Sequence, residues 1–252
     1  MPNKWKVLSL LSLLVLLTTN LFADELVSIK GGYQLLSPTG SIAGKVNGVG
    51  TDIDVENDLN LDDSETLTGE LALQWGKSRL SFNYLPLDFS GTGTLTKTIT
   101  FNGTDYLIGE EVKSDLTIDL YDIGYTYYLL NFDDLPTRFQ FGLEFAVKVA
   151  DVNASLKSLG LSESQSVTAP IPTIGARTRI ALADFLGITG RIGYLEFDDN
   201  HFLDAEAQLE FSPFPLVGLY AGFRYFDLKI DEDDIYVETE FSGPFGGLMV
   251  RF

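Results

Sequence analysis

Phe139-Gln140-Phe141-Gly142-Leu143-Glu144-Phe145-Ala146-Val147-Lys148-Val149 is the stretch that decides the fold. Every odd position is large and apolar, and the even positions are Gln, Gly, Glu, Ala and Lys. A β-strand sends successive side chains to opposite faces, so this stretch has one oily face and one wet face. A helix would scatter both sets around its surface. Leu203 to Phe211 repeats the pattern, with Leu203, Ala205, Ala207, Leu209 and Phe211 opposing Asp204, Glu206, Gln208 and Glu210.

Outward from these two segments the same period recurs. It is seen from Val27 to Leu35, Leu67 to Trp75, Arg79 to Tyr84, Tyr121 to Leu129, Ile174 to Leu182, Ile188 to Tyr194, Val217 to Arg224, and about Tyr236 to Phe252. That predicts an all-β chain of about ten strands, with eight as the main alternative. Parity slips around Pro86, at Leu120-Tyr121 and at Tyr225-Phe226 point to bulges, or to strand ends that leave a membrane. Short turns are expected at Gly76-Lys77-Ser78, Asn131 to Pro136, Asp184 to Gly187 and Ser212 to Pro215. Between them fall other connections at about 37–65, 152–167, 198–202 and 231–235. There is also an Asn102-Gly103 hairpin tip, whose strands are expected to run on for many residues. Short turns at one end and mostly longer loops at the other are the habit of antiparallel up-and-down transmembrane β-barrels.

Composition narrows the function. The 252 residues include 36 acidic and 17 basic side chains, a net charge of −19, one histidine and no cysteine. Disulfides, thiol chemistry and a zinc site of several His and Cys ligands are excluded. No cofactor is expected. A broad basic surface for nucleic acid is absent. Residues 1–23 open with Lys4 and Lys6, continue through an apolar run from Val7 to Leu17, and end Leu21-Phe22-Ala23 before Asp24. This reads as a secretory signal peptide, too short in its apolar part to span a membrane as a helix. Residues 24–252 then form one domain.

The chain ends Gly246-Gly247-Leu248-Met249-Val250-Arg251-Phe252, with Leu248 and Val250 on the face of the terminal Phe252. This resembles the last strand of Gram-negative outer-membrane β-barrel proteins. The resemblance implies export through the periplasm and insertion by the barrel-assembly machinery, with Phe252, Val250 and Leu248 as the assembly signal. It also implies outer-membrane lipid and lipopolysaccharide as surroundings. The segment Asp52-Ile53-Asp54-Val55-Glu56-Asn57-Asp58-Leu59-Asn60-Leu61-Asp62-Asp63 is similar to one found in bacterial outer-membrane barrels of unassigned function. Aromatic residues gather at strand ends. Trp75, Tyr125, Tyr127, Phe139, Phe185, Phe211 and Phe214 lie beside the short turns. Tyr84, Phe89, Tyr194, Phe197, Phe223 and Tyr225 lie toward the other end, as rings do at lipid–water boundaries.

The wet face carries Lys30, Glu70, Arg79, Asp122, Arg138, Glu144, Lys148, Arg177, Arg179, Arg191, Asp204, Glu206, Glu210 and Arg224. In a closed barrel these charges line the lumen, and opposite signs on neighbouring strands lie within pairing reach. They read as a structural salt-bridge network in a narrow lumen, or as the selectivity lining of a small-solute channel. The expected function is a non-enzymatic structural envelope protein or narrow passive channel. One alternative is a binding or adhesion barrel acting through acidic extracellular loops. The first loop offers Asp52, Asp54, Glu56 and Asp58 as a weak metal candidate with EF-hand-like spacing, but Asn57 stands where that loop needs glycine. A last alternative follows from Asp199-x-His201 and Asp52-x-Asp54, which resemble the Asp-x-His pair and the acidic pair that omptin proteases carry at the extracellular rim of ten-stranded barrels. An Asp that orients a His which activates water is a general-base arrangement. Oligomeric state is not fixed by any of these features.

Overall fold

The period-two segments form strands that pair in one direction around the molecule until the sheet meets itself. The computed structural model describes residues 26–46, 49–132, 138–198, 200–232 and 235–252. The signal segment 1–23, Asp199, Asp233, Asp234 and most of the expected turn from Asn131 to Pro136 lie outside the described residues. The strands are β1 (Val27–Val46), β2 (Val49–Asp54), β3 (Ser64–Trp75), β4 (Ser78–Thr94), β5 (Ile99–Phe101), β6 (Thr104–Tyr106) and β7 (Glu111–Asn131). They continue as β8 (Arg138–Ser158), β9 (Leu161–Ala183), β10 (Leu186–Phe197), β11 (Asn200–Phe211), β12 (Val217–Glu232) and β13 (Ile235–Arg251).

Ten of these make the barrel wall. Consecutive wall strands pair antiparallel, and β13 pairs with β1 to close the sheet, with Ile29 opposite Val250 and Gly31 opposite Leu248. The two ends of the described chain clasp each other: Val27 N donates to Phe252 O at 3.1 Å, and Phe252 N donates to Val27 O at 2.8 Å. Closure leaves no open edge within the membrane, which is the condition for strands to cross lipid.

The three remaining strands belong to the long-loop end. β2 folds back on the upper part of β1, and β5–β6 form a separate hairpin in the connection from β4 to β7. Asn102 (φ 49°) and Gly103 (φ 78°) make its two-residue turn. The flanking strands do not run on as expected, since each has only three residues. The long partners are β4 and β7, which pair with each other as far as Thr94 and Glu111. Leu95, Ile99, Tyr106 and Val112 are buried, and this draws the intervening segment back onto the barrel.

Two further expectations are corrected. Residues 37–65 and 152–167 are largely strand, and β8 and β9 meet at a tight tip through Leu159 and Gly160. The upper half of β9 is wet on both sides, so period two leaves no hydrophobic trace there, whereas that of β8 turns Val152 and Leu156 inward onto the plug and cap. A membrane strand needs about 9–11 residues. β8 has 21 and β9 has 23, whereas β10 and β11 have 12 each. β9 loses β10 as a neighbour above Ile174, so β8 and β9 project beyond the rest of that wall. The parity slips at Pro86, Leu120 and Phe226 are not bulges, because the pairing register runs straight through all three. Parity is kept and the polarity of the inward face inverts.

The outer wall is apolar. Ile29, Leu71, Phe82, Ile123, Phe145, Ile174, Ile192, Leu209 and Phe223 all face outward and exposed. Trp75, Tyr127, Phe185 and Phe214 mark one boundary of this band. At the other, Tyr84 Oη donates to Asp119 at 2.6 Å, Tyr194 Oη to Glu196 at 2.9 Å, and Tyr33 Oη to Glu65. Each ring faces lipid while its hydroxyl reaches a carboxylate on the water side. Phe89, expected in this girdle, is instead buried inside and stacks on Phe241 with ring centroids 5.2 Å apart.

Candidate functional site

Among the described residues the lumen is where the barrel concentrates charge, and it is built in two layers. Toward the short turns the inward positions of most wall strands carry polar or charged side chains, with Met249 on β13 among the apolar exceptions. Asp122 is the hub. Lys148 Nζ lies 2.6 Å from Asp122 Oδ2, and Arg191 Nη1 lies 2.7 Å from the same oxygen. Asp204 receives Arg191 Nη2 at 2.7 Å, Lys148 Nζ at 2.8 Å and Arg224 Nη2 at 3.1 Å. Glu144 takes Arg177 Nε at 2.9 Å and the Thr126 hydroxyl at 2.9 Å. Glu206 lies 3.8 Å from Arg191 and 4.0 Å from Arg224. Nearer the short turns, Glu70 meets Arg79 at 2.9 Å and Lys30 at 3.6 Å. Glu210 meets Lys30 at 3.4 Å, Arg179 at 3.5 Å and the guanidinium of Arg251.

Several of these pairs cross the lumen. Lys148 on β8 reaches Asp204 on β11, and Lys30 on β1 reaches Glu210 on β11. Arg177 and Arg191 are direct cross-strand partners of like charge. Glu144, which accepts from the first and lies 3.7 Å from the second, holds them together. Among the described residues the lumen carries eight cations, Lys30, Arg79, Lys148, Arg177, Arg179, Arg191, Arg224 and Arg251, against six carboxylates, Glu70, Asp122, Glu144, Asp204, Glu206 and Glu210. The cavities left between them hold about 40 and 30 Å³, room for a water molecule or so each.

Above the charges the same inward positions become apolar. Leu36, Leu85, Leu87, Phe89, Leu120, Ala150, Phe202, Phe226 and Phe241 form one buried cluster across the barrel. A second cluster over it joins Ile53, Leu59, Leu95, Ile99, Tyr106, Val112 and Leu156. The acidic first loop is part of this cap. Asp54 Oδ1 accepts from Glu56 N at 2.9 Å and Asn57 N at 2.8 Å, and its Oδ2 accepts from Asn57 Nδ2 at 3.0 Å. These bonds, the Asn57 side chain's first, hold the Asp54 carboxyl below its ordinary pKa. Asp58 is buried, accepts from Thr96 Oγ1 at 2.5 Å and from Asp54 N at 3.1 Å, and lies 3.7 Å from Lys97 Nζ. The loop backbone rests directly on β4. A Cβ at Gly91 would sit 2.4 Å from Leu59 O, and one at Gly93 2.1 Å from Asp58 O, so neither position takes a larger residue without a shift.

The sequence candidates fall into place unevenly. Thirteen of the fourteen wet-face charges point into the lumen network. Arg138 does not: it stands at the open rim, 46% exposed, 2.7 Å from the exposed Asp184, because β8 begins there and the wall no longer encloses its side chain. Leu248 faces outward and Phe252 is partly exposed at the short-turn rim. Among the described residues no three His, Asp or Glu side chains converge on a metal position. Of that candidate set, the Asp54 and Asp58 carboxylates are engaged by their own turn and by Thr96, Glu56 is exposed, and the Asp52 side chain lies outside the described residues. His201 Nε2 is 3.2 Å from Asp227 Oδ1, on the outward face of β11 and β12. Arg251 is a lumen residue that the wet-face candidates did not include, although its place between Val250 and Phe252 is the signal that would have found it. The apolar plug carried no separate signal, since an inward Leu85 reads like an outward one.

No family model matches the chain, and the curated proteins hold no match. Among solved structures, the outer membrane protease OmpT from Escherichia coli is similar with a TM-score of 0.60 at 11% identity, over 93% of this chain and 99% of that one. The translocator domain of the autotransporter NalP from Neisseria meningitidis gives 0.42 at 15% identity, over 99% and 95%. The attachment invasion locus protein Ail of Yersinia pestis gives 0.37 at 13%, over 91% and 100%. At these identities the likeness is one of fold. Closed wall, apolar band and charged interior make this a transmembrane β-barrel of the bacterial outer-membrane type.

Proposed function

We propose that the protein is a sealed structural barrel of the outer membrane, a non-enzymatic anchor that carries a folded cap and a projecting β8–β9 blade on the cell surface. The observation that carries this reading is the filled lumen: the ion pairs run from wall to wall with gaps such as those of about 40 and 30 Å³ between them, and an apolar plug lies across the path above them. A passive channel needs a continuous wet path, and this arrangement speaks against one. In the same reading, residues 1–23 direct export, both ends of the chain face the periplasm, and the short turns do so too. Lipid and lipopolysaccharide surround the band, and Phe252, Val250 and Leu248 present the final strand to the assembly machinery. Planar-bilayer recording of refolded protein tests the reading. No steady unitary conductance is expected, and a reproducible one would overturn it.

A second reading, surface binding, draws support from the projecting blade rather than from the acidic loop. A groove of about 240 Å³ lies on it, lined by Asp115, Thr117, Asn153, Ser155, Ser164 and Ser166. Hydroxyl and amide groups in that arrangement suit a polar surface ligand. The omptin-like reading fares worse. Asp54 has both oxygens engaged within its own turn, and His201 pairs with Asp227 on the outer wall.

A further inference from the structure

β9 pairs with β8 from Leu161 down to Ala181, but with β10 only from Ile174 downward. Tyr194 opposes Ile174, so the turn at Asp198, where β10 gives way to β11, stands level with Pro170. Counted on through the next pairings, Glu232 at the top of β12 stands level with Ala169. The stretch from Leu161 to Thr168 therefore rises above its neighbours on that side. Among the described residues no backbone bond reaches its outer edge.

Two prolines tell which backbone groups face that edge. Pro170 opposes Val149, and Pro172 opposes Val147. Proline has no N–H to give, so these pairs exchange no bonds with β8. Residues of the same parity, Ser162, Ser164, Ser166 and Thr168, likewise turn their N–H and C=O groups away from β8, to the open side. The prolines blunt the lower part of the edge, whereas the part from Leu161 to Thr168 has no proline or lysine, and Glu163 is its only charge. An edge of that kind is a template for another strand. We propose that its occupant is the same edge of a second copy of this chain, the two blades joining antiparallel into one sheet about a two-fold axis at Gln165.

The sequence is self-complementary in that register. Ser162 falls opposite Thr168 of the second copy, and Ser164 opposite Ser166 of the second copy, so hydroxyls meet hydroxyls. These are the residues with backbone groups on the open side, and each such pair exchanges two N–H···O bonds. Glu163 falls opposite Val167 and not opposite another carboxylate, on a chain of net charge −19. Gln165 meets its own copy on the axis, where its amide can both donate and accept. The exposed Leu161 lies against Ala169 of the second copy. Pro170 ends the pairing at the level where the neighbouring strands begin. Antiparallel pairing points the two blades in opposite directions, so the joint links barrels in facing membranes and not barrels side by side in one. That last step rests on the surface-displayed blade of the reading above, whereas the joint itself does not.

The test uses the full chain refolded in detergent, where it does not matter which side of a membrane the blade faces. Sedimentation velocity should show a monomer–dimer equilibrium that shifts with protein concentration. Oxidised Gln165→Cys should form a covalent dimer, because directly opposed residues that exchange no bonds have Cα atoms about 4.5 Å apart, within disulfide reach. Val167→Cys lies on the same face but more than about 13 Å from its own copy in this register, and should form little covalent dimer. Ser164→Pro removes a donor on the open side and no bond to β8, so it should weaken dimerisation about tenfold with urea unfolding unchanged. Residues 164, 165 and 167 are exposed, so these variants leave the barrel folded. A monomer at every concentration, cross-linking at 167 as efficient as at 165, or dimerisation unmoved by Ser164→Pro would overturn the proposal. Such a failure leaves the sealed-anchor reading standing, and a steady conductance would sink that reading without touching the joint.

Discussion

Arg191 on β10 and Asp122 on β7 lie 2.7 Å apart although β8 and β9 separate their strands around the wall. A bond of that kind spans the lumen instead of running along the sheet. It ties strands three places apart in the wall together, and with Lys148 and Asp204 it forms a buried lattice in which every carboxylate has more than one cation.

Removing one member of such a lattice leaves a desolvated charge behind. Arg191→Ala is therefore expected to cost about 3–5 kcal/mol, read from urea unfolding in detergent. The double variant Arg191→Ala with Asp122→Ala should cost less than the sum of the singles, because both charges leave together. Additive losses would show that the two residues do not act on each other.

The cap has its own weak point. Asp58→Ala takes the acceptor from Thr96 and from Asp54 N, a loss of about 1–3 kcal/mol confined to the cap. Protease nicking within residues 55–61 and 95–110 should speed up while the melting of the barrel stays where it was. The pH dependence follows from Asp54. Its folded pKa is lowered, so its contribution is present above the unfolded value of about 3.9 and is lost as pH falls through the lower folded one. Protection of the Glu56 and Asn57 amides, relative to their intrinsic exchange rates, should hold at neutral pH and fall only in that acid range. Loosening between pH 6 and 8 would contradict this account of the turn.

Deleting Phe252 removes both backbone bonds that clasp it to Val27. Lower outer-membrane yield is expected, with more chain left in the periplasm, as seen by fractionation. Unchanged yield would remove the case for an assembly role of this residue.

No peptide hydrolysis is expected from the pure protein. Cleavage that disappears in His201→Ala would reinstate the rim-protease reading, because His201 is the only histidine in the chain.

Much of the wall was legible because lipid on one side and charge on the other impose period two. Glu144 and Lys148, alternating with Phe145 and Val147, could hardly be read otherwise. The upper half of β9 was not legible, since Ser164 and Ser166 on a strand bathed by water carry no contrast between faces, whereas in β8 the apolar positions Val152 and Leu156 change parity and so broke the pattern read lower down. Phe89 misled for a different reason. Alternation tells which residues share a face, but it does not tell whether an apolar face meets lipid or the inside of a plug. That distinction depends on which other strands bring Phe202, Phe226 and Phe241 to the same height, which only the closed sheet determines. The pairing of Arg191 with Asp204 was foreseeable from adjacent strands, whereas its bond to Asp122 depends on barrel width.

The central claim is that the lumen is closed, and the absence of native cysteine allows it to be measured directly. Ala146→Cys and Ala150→Cys place single thiols inside, at positions that are 6% and 7% exposed, while Ser166→Cys places one on the outer face of the blade. In the folded protein in lipid, a small charged methanethiosulfonate reagent should modify the thiol at 166 quickly and leave those at 146 and 150 unreacted until the barrel is unfolded. Modification at 146 and 150 as fast as at 166 would mean an open, wet path through the barrel, and would contradict the sealed-anchor account.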